Sequence, residues 1–84
     1  MSHKTAIVLF TIKSRNITAD LEIPLDISAH ELVLALNKAF ALGLDTLDMR
    51  KDYLKAKNPT VLVKGGKSLR ELGLRNGSEL IYEL

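Results

Sequence analysis

The sequence predicts an α+β fold in which a mixed sheet of four to five strands packs one face on a single helix. Three observations point there. Residues 5–13 are β-branched and aromatic-rich, and residues 78–84 alternate apolar and polar side chains, so the chain opens and closes on strands. Between them Leu32, Val33, Leu36, Ala39 and Phe40 recur at the 3.6-residue spacing of a helix with one apolar face. With 84 residues, 46% hydrophobic and 26% charged, the chain 1–84 reads as one domain with a single core and little else.

The first strand is followed by Ser14, Arg15 and Asn16, which can turn the chain, and then by residues 18–26. There Leu21, Ile23 and Leu25 face one side and Asp20, Glu22 and Pro24 the other. Pro24 has no amide hydrogen to give to a ladder, which places this second strand at a sheet edge. A two-residue turn at Arg15-Asn16 would set Phe10 opposite Leu21 and Val8 opposite Ile23. A slip of one residue would turn Val8, Phe10 and Ile12 outward instead.

Ser28 and Glu31 have the spacing of a capping box, with Ile27 and Leu32 as a hydrophobic staple, so a helix starts at Ala29. Gly43 stands where a left-handed residue would end it, giving a helix over 29–42. Residues 44–52 fit either an irregular crossover, the reading favoured here, or a short helix capped at Asp45. Short strands follow at 53–57 and 60–63, joined by the turn dipeptide Asn58-Pro59. Then come a loop at Lys64-Gly65-Gly66-Lys67, a helical turn at 68–72, a tight turn at Asn76-Gly77 and the last strand. In that strand Leu80, Tyr82 and Leu84 face the core.

The order ββαββ suits a sheet whose first and last strands are central and parallel. This is the β-grasp arrangement, and the stretch Leu69-Arg70-Glu71-Leu72-Gly73-Leu74-Arg75-Asn76-Gly77-Ser78-Glu79-Leu80 is similar to the corresponding part of ubiquitin-like domains. Together with the second strand DLEIPLD and the Leu-rich helix, it resembles the YukD/EsaB family across residues 5–84. These are small bacterial ubiquitin-like proteins of the type VII (WXG100, ESX-type) secretion system. The resemblance implies a cytoplasmic binding protein whose partners are components of that machine.

Several chemistries find no support. The chain has no cysteine and therefore no thiolate zinc site or cysteine nucleophile. His3 and His30 lie on different elements with no third ligand in view, and no nucleophile, base and orienter converge with them. Neither a catalytic residue, a metal nor a cofactor is expected. The net charge of +2 is spread along the chain, and Arg50, Lys51, Lys55 and Lys57 read as a solvated face, so no nucleic acid is implied. The apolar run near the N-terminus is far shorter than the ~20 residues of a membrane span. Gly-Lys-Ser at 66–68 lacks the upstream glycine of a phosphate loop, where Val61 stands.

A conjugated tag or sulfur carrier presents its carboxylate on a slim Gly-Gly tail, whereas this sequence closes on Leu84. Gly65-Gly66 reads as an internal loop in which glycine supplies positive φ. A covalent modifier is therefore the disfavoured alternative, and an adaptor without a secretion role the other. The candidate protein-binding residues are Ile7 and Leu9 of the first strand and Ile81 of the last, on the sheet face away from the helix. Self-association through that face is a further expectation.

Overall fold

The computed structural model describes residues 4–43 and 53–83. The expectations placed on His3, on residues 44–52 and on Leu84 lie outside them. Among the described residues the order is β1 (Thr5–Ile12), a 3-10 turn (Lys13–Arg15), β2 (Ile17–Pro24), α1 (Ala29–Phe40), β3 (Leu54–Lys57), β4 (Val61–Val63) and β5 (Glu79–Tyr82).

These strands form one sheet in the order β2-β1-β5-β3-β4. The strand β1 runs antiparallel to β2 and parallel to β5, and β3 is antiparallel to both β4 and β5. The strand with Pro24 is at the edge, and the first and last strands are interior neighbours, as the sequence predicts. The parallel ladder extends beyond β5: the Leu9 amide donates to Ser78 O (3.0 Å), the Gly77 amide to Ile7 O (3.1 Å) and the Ile7 amide to Asn76 Oδ1 (2.8 Å). The turn that feeds it closes with the Ser78 amide on Arg75 O, and Gly77 takes φ +90° at the position where a type II turn needs glycine.

Alternation fixes which side of the sheet is buried. Ala6, Val8, Phe10 and Ile12 of β1 pack inward with Ile23, Leu54, Ala56, Val63 and Leu80, against Ala29, Leu32, Val33 and Leu36 of α1. Phe10 meets Phe40 edge-on at 5.1 Å between ring centroids.

Two expectations are corrected. The hairpin pairs Phe10 with Ala19 and Val8 with Leu21, two residues away from the register of a two-residue turn. The loop is longer: Lys13–Arg15 form a 3-10 turn and Asn16 reverses the chain in the left-handed region at φ 51°. Since the shift is even, the same residues stay inside. The helix ends at Phe40, and Ala41, not Gly43, takes the αL position that stops it (φ 51°, ψ 53°). That early reversal tucks Leu42 into the core, where its carbonyl accepts the buried Tyr82 hydroxyl at 3.0 Å.

At the other end of α1, the Glu31 amide donates to Ser28 Oγ (3.1 Å), as the capping signature predicts. The two preceding amides, on Ala29 and His30, donate to the carbonyls of Lys67 (2.8 Å) and Gly65 (3.0 Å). The glycine loop is thus the helix's N-terminal lid, with Gly65 at φ +81°. The strap continues through Leu69 N–H on Ile27 O and Arg70 N–H on Leu25 O. An ion pair closes it, from Arg70 Nε to Asp26 Oδ1 at 2.9 Å.

Candidate protein-binding surface

The face of the sheet opposite α1 is built by the other half of each strand's alternation. It carries Thr5, Ile7, Leu9 and Thr11 from β1, Thr18, Asp20 and Glu22 from β2, Glu79 and Ile81 from β5, Lys55 and Lys57 from β3, and Leu62 from β4. The register lays these in rows. One row runs Asp20, Leu9, Glu79, Lys57; the next runs Thr18, Thr11, Ile81, Lys55, Leu62.

The three residues read from the sequence share this face but differ in accessibility. Ile7 is 56% exposed, Leu9 is half-buried, and Ile81 retains only 7% of its surface. Ile81 stands two residues before Glu83 on the same side of β5, and Glu83 is gripped from both flanks. Lys55 Nζ lies 3.1 Å and Lys13 Nζ 3.5 Å from its carboxylate. Lys55 reaches it from β3, and Lys13 from the 3-10 turn that follows β1. The hydrogen bond from Lys55, with its positive charge and that of Lys13, holds the Glu83 carboxyl below the usual carboxylate range.

Sequence reasoning missed Leu62, which is 46% exposed on β4 and directly opposite Lys55. With Ile81, Lys57, Thr60 and Glu79 it helps line a shallow groove of about 530 Å³ on that half of the face. A three-residue strand carries too little alternation to announce its outward side, so only pairing with β3 reveals it.

Three serine hydroxyls serve the fold. Ser28 Oγ serves the helix cap, Ser68 Oγ accepts from the Glu71 amide and donates to its carboxylate, and Ser78 Oγ is buried between Asn58 O and the Arg75 amide. Among the described residues no group of three His, Cys, Asp or Glu side chains could hold a metal ion, and no helix is long and apolar enough to cross a membrane.

Residues 7–81 match the family described as "WXG100 protein secretion system (Wss), protein YukD". The chain belongs to the YukD family. It is thereby a ubiquitin-like protein linked to type VII secretion, and the resemblance read from residues 69–80 and the second strand holds.

Solved structures agree on the fold of this YukD-family chain. The C-terminal ubiquitin-like domain of mouse tubulin-specific chaperone e superposes with a TM-score of 0.71 at 11% identity, covering 96% of this chain and 87% of that one. The ubiquitin-like domain of yeast Ddi1 gives 0.68 at 14% identity, covering 96% and 90%. A ubiquitin-like domain from an Arabidopsis thaliana protein gives 0.65 at 14% identity, covering 95% and 77%. None of the curated protein sequences matches significantly.

Proposed function

We propose that this chain, working as one domain over residues 1–84, acts by binding. It is a cytosolic, non-enzymatic accessory of the type VII secretion machine that docks on a protein component through the sheet face bearing Ile7, Leu9 and Ile81. The observation that carries the reading is Ile7. This β-branched apolar residue is held on an interior strand by ladders on both sides, yet more than half of its side chain faces solvent. Exposed apolar surface on a rigid strand, with Leu9 beside it, offers a contact at little ordering cost.

A non-covalent mode is supported by the use of Gly65-Gly66. The carbonyl of Gly65 is engaged by the first turn of α1, so the pair is structural material.

The test is a pull-down from the native cytosol with the wild-type chain and with Ile7→Glu/Leu9→Glu, following secretion of WXG100 substrates in parallel. The reading expects type VII components on the wild-type chain, their loss from the variant and impaired secretion, with circular dichroism unchanged. Retention of the same components with normal secretion overturns it. Incubation with an adenylating enzyme and ATP should leave the intact mass unchanged; an adduct would establish a covalent modifier instead. Sedimentation of the purified chain across concentration shows whether a second copy occupies the same face.

A further inference from the structure

The two halves of the open face treat their charges differently. At the C-terminal end of β5, Glu83 is shared by Lys13 and Lys55, so the carboxylate there is internally neutralised. On the β2 side, Glu22 stands directly opposite Ile7, while Asp20 and Glu79 flank Leu9 on its two neighbouring strands. These three carboxylates make no ion pair among the described residues. Glu22 only accepts the Thr5 hydroxyl at 2.9 Å. Lys57, across β5's ladder from Glu79, marks where the acidic half stops.

The exposed Ile7 and the half-buried Leu9 are therefore framed by Asp20 and Glu22, which form no ion pair among the described residues, and by Glu79, which has Lys57 directly opposite it on β3, on a protein whose net charge is +2. Resting on the reading that this face docks a protein, we propose that its occupant is a basic segment, with an apolar anchor seated on Ile7 and Leu9 and lysine or arginine side chains reaching Asp20, Glu22 and Glu79. An acidic segment would put like charges around the anchor, which costs affinity and slows encounter. A neutral one would forgo the attraction. With Asp20 and Glu22 exposed and Glu79 half-buried, the carboxylates act chiefly on partner choice and association rate, and their effect falls with salt.

The test uses two short synthetic peptides that share a central leucine anchor, one flanked by lysines and one by glutamates. Each is titrated into the full chain while amide shifts are followed by NMR. The lysine peptide is expected to saturate and to shift Ile7, Leu9, Asp20 and Glu22, and the glutamate peptide to leave them in place. Asp20→Asn/Glu22→Gln/Glu79→Gln should weaken the lysine peptide about three- to tenfold, the scale of losing a few exposed charge pairs. Ile7→Ser should weaken it as well with the charges intact.

Equal response to both peptides, shifts confined to β3 and β4, or indifference to the triple variant overturns the proposal. So does a concentration-dependent shift of the same amides without peptide, which would mean that a second copy sits there. If the pull-down retains its type VII component while the peptides fail to discriminate, the basic chemistry is wrong and the docking face stands. Loss of both removes the face itself.

Discussion

The guanidinium of Arg15 donates to the carbonyl of Phe40 at 2.6 Å, and its second terminal nitrogen donates to Ala41 O at 2.7 Å. A residue of the first hairpin turn thus closes the far end of the helix. The last carbonyls of a helix lack intrahelical donors and carry its negative partial charge, so a cation with two parallel N–H groups is well matched to them. The longer turn has a role here: it is the 3-10 turn of Lys13–Arg15 that places Arg15 at the end of α1.

Arg15→Ala is expected to lower stability by about 1 kcal/mol, and Arg15→Lys to recover only part of that, because an ammonium cannot span both carbonyls in the same way. Urea unfolding of the three proteins measures both steps.

Ala41 holds the left-handed conformation with a side chain that disfavours it. Ala41→Gly relieves that and should raise stability by about 0.5–1 kcal/mol, read as a higher urea midpoint at unchanged slope.

The two glycines of the loop should behave unequally. Gly65 has φ +81° and open space around a would-be Cβ, so Gly65→Ala meets backbone strain alone, about 1 kcal/mol. Gly66 has equally open space and no positive φ, and Gly66→Ala should be neutral or slightly stabilising. Thermal melts of the pair decide whether the loop or the dipeptide is what matters.

Acid should reveal the two anchored carboxylates. The hydrogen bond from Arg70 lowers the Asp26 pKa, and that from Lys55 lowers Glu83. A folded-state pKa below the unfolded one gives stability that is complete at neutral pH. It is lost as pH falls through the ordinary carboxylate range and below it, from roughly pH 4 downward. Stability measured from pH 7 to pH 2 should fall less steeply in Asp26→Asn and Glu83→Gln than in the wild type.

Ile7 and Ile81 should also part company. Ile7→Ser removes an exposed side chain and should cost less than about 1 kcal/mol, mostly strand preference. Ile81→Ser strips a side chain that is 7% exposed and should cost about 2 kcal/mol or more. Chemical denaturation of each variant checks this, and it sets Ile7 as the position where the proposed docking can be tested with the fold left whole.

Much of this was legible in the sequence because local chemistry and global need coincide. Pro24 cannot sit inside a sheet, Ser28 announces a helix start, and alternation in β1 and β5 names the inward residues. What stayed hidden depends on partners distant in the chain. Ser14, Arg15 and Asn16 allow turns of different lengths, and the demand at the end of α1 that draws Arg15 there leaves no periodic trace. Gly43 looked like the helix stop, but burial of Leu42 under the Tyr82 hydroxyl outweighs the cost of a left-handed alanine. Of the candidate surface, alternation gave the face, whereas the burial of Ile81 arises only once β1, β5 and β3 lie side by side.

The parallel ladder between β1 and β5 has a consequence for synthesis. The strand that emerges from the ribosome near the beginning must wait for residues 79–82 before its inner edge is occupied. Until then Val8, Phe10 and Ile12 have a neighbour on one flank only, and contacts of such long sequence separation form late. A chain stalled on the ribosome short of Glu79 should be cut readily by protease at sites that the released protein shields, so this domain is completed in one act after its last strand is free.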